Sequence, residues 1–406
     1  GWPLTLFLVT GLPALILLIV AVWLSRPQVA PEARRPWLLA SLSFAALLGW
    51  ALVTSFTHET RYSLPSEGVT DVLVAPIYLW LPLLSGLIAI GCALCCAAAT
   101  PRARHGLPAQ MTAVAVAILI VGAIGQYRSL DDGIPGARLY SGLGGAAVMS
   151  VPLLIATAIL LAGLRAANRR RWVWGLGVAV GVIMILQTGS RSGLLTLAIY
   201  ACLVVLDLRR SGRNRRGTLL VVAGVVLIAG ISLLLRPELH RLLLFNDHWR
   251  ETNLLTAMSA LTSSWWVPLV GLGNGALWPW FFTESGQVPV SYTEMAASPW
   301  GPVLPAPHSV YLWGAVELGA VGLGLILAIA GTLVWAWLKS DPGSARRTML
   351  AALVACLFAF ATDTFLVNNF PASLLWWYLL FASTSAAPGR THQASSGTPS
   401  DASAPS

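Results

Sequence analysis

Apolar runs of about twenty residues recur along this chain, and that recurrence limits the fold more than any other feature of the sequence. A helix rises about 1.5 Å per residue, so such a run crosses a ~30 Å hydrocarbon core while satisfying its backbone hydrogen bonds internally. Eleven runs are predicted, near 2–24, 37–56, 72–99, 111–125, 142–164, 172–188, 192–206, 218–235, 309–338, 348–366 and 372–385. Those at 111–125, 192–206 and 372–385 are short for a span, whereas 309–338 is long enough to begin at the interface or to tilt. Composition agrees: 56% of the 406 residues are hydrophobic and 10% are charged, against roughly 25% charged in a soluble domain. The expected fold class is therefore an all-α integral membrane protein of about 11–12 transmembrane helices with one large, partly helical outer loop.

Basic residues orient such a bundle, because they accumulate in cytoplasmic loops. Eighteen of the 25 fall in alternate connections: Arg26, Arg34 and Arg35; Arg102 and Arg104; Arg165 and Arg169 to Arg171; Arg209, Arg210, Arg213, Arg215 and Arg216; Lys339, Arg346 and Arg347; and Arg390. The remaining seven, Arg61, Arg128, Arg138, Arg191, Arg236, Arg241 and Arg250, share the opposite face with most of the acids. The net charge of +9 is thus a topology signal, and without a soluble basic domain it does not describe a nucleic-acid surface. Eleven spans place residue 1 outside and the tail inside. A helix preceding Gly1 would raise the count to twelve and put the start of the chain in the cytoplasm. The first run lacks the basic leader and cleavage site of a signal peptide.

Four regions follow: N-terminal transmembrane helices at 1–235, a large outer loop at 236–308, C-terminal transmembrane helices at 309–385, and a tail at 386–406. The tail is rich in Ser, Ala, Pro, Thr and Gly and is expected to be disordered. The loop holds eight prolines and six tryptophans. Its first half, ELHRLLLFNDHWRETNLLTAMSALTSSW, has helical apolar spacing that predicts helices on or near the membrane surface. The second half, with GLGNG at 271–275 and SPWGPVLPAPHS at 298–309, reads as loop. All five cysteines lie in apolar runs, where packing is the expected role; CALCC at 92–96 has no His or acid beside it in its run.

Four short segments stand in a definite order: RLYSGLGG at 138–145, TGSRSG at 188–193, PLVGLGNG at 268–275 and PHSVYLWGAVELGAVG at 307–322. In that order they resemble the O-antigen ligase and polymerase family of bacterial membrane glycosyltransferases, over residues 135–385. The chain departs from that pattern at Gly145-Ala146-Ala147, where an Asn-Pro pair is common, and at Ser309, where Asn is frequent. The resemblance implies transfer of a polysaccharide from undecaprenyl diphosphate to an acceptor at the periplasmic face of the inner membrane. It implies neither a metal ion nor a cofactor.

That chemistry selects residues. Charge develops on a departing diphosphate, which Arg meets bidentately while staying charged. Arg191, in the tight turn between two runs, is the first choice for the donor diphosphate, and snorkelling to the interface is the plain alternative. Arg250, in HWRET, and Arg138 are further diphosphate candidates, with Arg61 in support; an Arg between Asp247 and Glu251 is also an ordinary surface charge. His308 is the expected general base, taking the proton of an acceptor hydroxyl in a single inverting displacement, since its unperturbed pKa of ~6.5 suits the task. Glu317 and Asp363 carry the cost of an acid in an apolar run. Glu317 is expected to pair with an Arg or cap a helix, and Asp363, near Asn368 and Asn369, to lie at the outer mouth. His240, His248 and Asp247 share the loop with His308, but their spacing defines no metal site. Trp265 and Trp266 are candidates for stacking on sugars, although interfacial tryptophan belts are common.

The leading expectation is an O-antigen ligase acting on lipid A-core. A polymerase extending the lipid-linked glycan would use the same donor and a similar site. A transporter or flippase of lipid-linked substrate would instead place charged or broken helices near the midplane and show repeated halves, whereas here the ionisable candidates gather at the outer boundary and no internal repeat is found.

Overall fold

A computed structural model of the protein describes residues 31–64, 69–99, 107–131, 139, 146–167, 170–211, 224, 248–279, 295–367 and 369–383. The run at 2–24, the run at 218–235 apart from Gly224, and the tail at 386–406 lie outside these residues. The structure is mostly helical: α1 (Pro31–Thr54), α2 (Pro76–Ala99), α3 (Ala109–Asp131), α4 (Ala146–Ala166), α5 (Arg171–Gln187), α6 (Arg191–Ser211), α7 (His248–Leu261), α8 (Val267–Val270), α9 (Val310–Glu317), α10 (Gly319–Lys339), α11 (Ala345–Ala359) and α12 (Phe370–Ala382). Six of these are long and apolar enough to cross a membrane, namely α1, α2, α3, α4, α6 and α10. The short runs at 111–125 and 192–206 therefore gain spanning length from their flanks. The run at 372–385 does not, since α12 has only 13 residues.

Burial follows composition. α4 and α11 are apolar on every side, and a helix of that kind needs neighbours all round. α4 packs against α3, α5, α6, α11 and α12, and α11 also packs on α6, α10 and α12. From Met149 every residue of α4 up to Gly163 is buried. α3, by contrast, keeps Val116, Ile120 and Ile124 exposed along one side, the surface expected of a helix facing lipid.

At one end of the bundle a buried ion cluster joins four elements. Asp207 of α6 takes Arg165 of α4 at 2.8 Å and Arg347 of α11 at 2.9 Å. Its Oδ1 also accepts the N–H of Gly343 in the α10–α11 turn. Arg165 reaches Thr348, Arg347 reaches the Ser340 carbonyl, and the Arg347 guanidinium lies 4.8 Å from the Trp337 ring centroid. Sequence reading took Arg165 and Arg347 only as topology charges and passed over Asp207.

The other end carries the loop elements and a small sheet that periodicity did not foresee. β1 (Arg61–Leu64) pairs antiparallel with β2 (Val69–Leu73), with Arg61 opposite Leu73. β3 (Ala296–Ser298) and β4 (Gly301–Val303) form a hairpin with Ala296 opposite Val303, and β3 joins β1 at Ser63 and Ala297. Three-residue strands of Ala, Ser, Gly, Pro and Val have little intrinsic strand preference, so the pairing rests on contacts across the chain. The sheet and α7 share a second hydrophobic core with the start of α2: Val74, Leu79, Ala257, Ala260, Leu277, Trp278, Ala296 and Val303 are all buried.

Candidate active site at the loop end

The predicted run 309–338 is two helices with a break between them. Ser309 caps α9, accepting the N–H of Leu312 at 3.2 Å. α9 ends at Glu317, and α10 begins at Gly319 with φ +66°. A Cβ at Gly319 would strike the Leu269 carbonyl, and one at Gly271, with φ +86°, would strike the Glu317 carbonyl. Only glycine permits this approach of two backbones. The Leu318 carbonyl at the break accepts both the Gly322 N–H at 3.1 Å and the Trp50 indole N–H at 2.9 Å.

Glu317 sits inside this crossing with 0% exposure. Its Oε2 accepts the N–H of Gly275 at 2.8 Å, and its Oε1 accepts those of Leu277 and Trp278 at 3.0 and 2.9 Å. It pairs with no Arg among the described residues, which corrects the first expectation for it; the acid gathers the donors of the Gly-rich loop. Burial pushes its carboxyl up to about 7, against the pull of those three N–H groups. The Glu317 and Val316 carbonyls take the N–H groups of Gly273 and Leu272. Asn274 donates to Ser55 and to the Leu79 carbonyl, and accepts from the Trp313 indole. PLVGLGNG and PHSVYLWGAVELGAVG thus form one unit.

Beside it lies His58, which sequence reading missed. Its Nε2 is 3.0 Å from the Thr60 hydroxyl, which donates to the Gly275 carbonyl at 2.9 Å. Its ring lies against Gly273, and burial pushes its pKa down. No motif marks a lone His after a spanning run, so only the fold reveals it.

His308 is half-buried and holds φ +50°, the left-handed region. A non-glycine residue there is uncommon and persists only where its surroundings dictate it. They do: Pro307 is buried on one side, while on the other Ser309 caps α9 and the Val310 N–H donates to the Phe360 carbonyl at 2.8 Å. Asn253 adds a second anchor, its Oδ1 accepting from Leu304 and from the Trp278 indole.

The TGSRSG turn is tight. Gly189 has φ +57°, Ser190 accepts the Gly193 N–H, and the Ser190 and Ser192 hydroxyls bond at 2.8 Å. The turn therefore consumes its own Gly193 donor. Arg191 begins α6, half-buried, and its guanidinium forms no ion pair among the described residues. Leu139, fully buried, donates its N–H to the Gln187 carbonyl at 3.4 Å, and the rest of RLYSGLGG lies outside the described residues. Arg138 lies outside the described residues, as do Asp247, His240 and Asn368.

α11 connects the two halves of the site. It runs antiparallel to α6, and Asp207 and Arg347 fix their relative height. From Asp207 back to Arg191 is about 24 Å, and from Arg347 to Phe360 about 20 Å, at 1.5 Å per residue. Arg191 and the Phe360 carbonyl that docks Val310 therefore lie toward the same end of the bundle, which places the segments 188–193, 268–275 and 307–322 on that side.

The other candidates spread outward. Asp363 lies half-buried in the turn after α11, its Oδ1 accepting the Thr364 N–H, while Asn369 caps α12. Arg61 is exposed and pairs with Glu59 at 3.4 Å. Arg250 and His248 are exposed on the first turn of α7. Trp265 is 83% exposed and Trp266 41%. Cys356 is core, whereas Cys96 and Cys202 are exposed on helix surfaces. Among the described residues no three His, Cys, Asp or Glu side chains gather as metal ligands.

No protein-family model matches the chain, and comparison with curated proteins finds no match.

Proposed function

We propose that this protein is a membrane glycosyltransferase of the O-antigen ligase type. In this reading it moves a polysaccharide from undecaprenyl diphosphate to lipid A-core at the periplasmic face of the bacterial inner membrane, without a metal ion. The observation that carries the proposal is His308, held in a left-handed conformation by the capped α9 toward the same end of the bundle as Arg191, whose guanidinium forms no ion pair among the described residues.

In the reaction an acceptor hydroxyl oxygen bonds to the anomeric carbon as the bond from that carbon to the phosphate oxygen breaks. The electron pair leaves with undecaprenyl diphosphate. His308 takes the hydroxyl proton and later releases it to water. Arg191 stabilises the charge growing on the diphosphate, and Arg250 approaches from α7. Glu317 acts through the loop and α9 as a positioning residue, which follows from its three backbone donors.

The test is transfer by the purified protein in EDTA, from undecaprenyl-diphosphate-linked glycan to lipid A-core. Wild type transfers, and His308→Ala and Arg191→Ala each lose about 10²-fold or more. Lengthening of the lipid-linked glycan with none reaching lipid A-core would make the protein a polymerase. Full activity in His308→Ala would remove the base.

A further inference from the structure

α7 presents two faces. Asn253, Thr256, Ala257 and Ala260 are buried against the sheet and the Gly-rich loop. The other side carries Leu254, Leu255 and Met258 at 47–64% exposure, and the apolar surface continues past the helix through Trp265, Trp266, Leu269 and Val270. Exposed apolar surface of this extent on an extramembrane segment marks an interaction site. Charge stays at the far end of α7, where His248, Arg250 and Glu251 are exposed.

The patch runs into the bilayer-facing surface. The Leu269 carbonyl lies against Gly319, the first residue of the spanning helix α10. α8 packs on α10, whose Val321 and Leu327 are exposed. Leu269 and Val270 therefore stand where α10 enters the membrane, and the tryptophan pair occupies the level at which indoles favour the lipid headgroup boundary.

We infer that the Leu254–Val270 apolar face inserts into the lipid leaflet beside the start of α10 and sets the height of the His308 segment over the bilayer. The link is direct. The Thr256 hydroxyl donates to the Pro302 carbonyl at 2.6 Å, and Asn253 accepts the Leu304 N–H at 3.1 Å, so α7 holds the strand that leads into His308. A lipid-linked donor presents its diphosphate at the headgroup level, and this arrangement brings the base to it; that last consequence rests on the proposed function, whereas insertion does not.

Hydroxyl-radical footprinting of the wild-type chain, in vesicles of phosphatidylethanolamine and phosphatidylglycerol, tests insertion without reference to activity. Met258, Trp265 and Trp266 are protected from oxidation while His248 on the same helix is modified. Oxidation of Trp265 as readily as of His248 overturns the inference. Protection that arises only on adding lipid-linked glycan also overturns it and makes the patch a sugar site. Leu255→Asp with Met258→Asp then separates the two proposals: insertion and transfer are lost together in a protein that keeps the wild-type thermal midpoint in detergent. Full transfer in that variant, with the patch now oxidised, overturns the link to His308 and leaves the activity standing.

Discussion

Glu317 accepts the N–H of Gly275 at 2.8 Å although the two residues are 42 positions apart, and at 0% exposure the acid has no water to replace that donor. Three backbone N–H groups of the loop depend on the same carboxylate. Glu317→Ala leaves them buried without an acceptor, at a cost of at least about 1–3 kcal/mol. A fall in the thermal midpoint of the detergent-solubilised protein is expected; an unchanged midpoint would mean that the loop finds other acceptors.

Asp207 balances two arginines, one of them 2% exposed. Asp207→Ala strands both guanidinium groups in the core and is expected to cost about 3–5 kcal/mol. Asp207→Ala with Arg347→Met removes one stranded charge and recovers part of that loss. Chemical or thermal unfolding of the three proteins checks the order.

His308→Gly separates strain from chemistry. The +50° backbone angle is unfavourable for His and ordinary for Gly, so the variant keeps the wild-type thermal midpoint or exceeds it slightly. Under the proposed function it loses transfer by about 10²-fold or more. A marked loss of stability would show that the imidazole holds the segment in place.

His58 gives a pH dependence of known sign. Its folded pKa lies below the ordinary 6.5 because burial disfavours the cation. The stability it contributes is present above about 6.5 and is lost as pH falls through the lowered value. Glu317, raised to about 7, works in the opposite direction, its contribution being lost as pH rises through that value. Midpoints of wild type and His58→Gln, compared from about pH 7.5 down to about 5, should converge on acidification. Parallel curves would exclude His58 as the source.

Much of the architecture is local and was therefore legible. Apolar length placed α1, α2, α3, α4, α6 and α10, and the helical spacing before Trp265 placed α7. The segments 188–193, 268–275 and 307–322 each stood out by their own residues. What the chain could not display locally was partnership: that Glu317 faces backbone donors rather than an Arg, that His58 lies against Gly273, that Asp207 joins two arginines counted as loop charges, or that Ala296 to Val303 forms a hairpin.

The sequence by itself determined that this protein is a set of apolar helices with its polar chemistry confined to their ends, because the transfer free energy of each twenty-residue run is a property of that run alone. Tertiary structure decided which of those polar residues share a site. A buried acid, a left-handed His and a half-buried Arg acquire their character from desolvation and from neighbours far away in the chain, and those quantities exist only once the helices have packed.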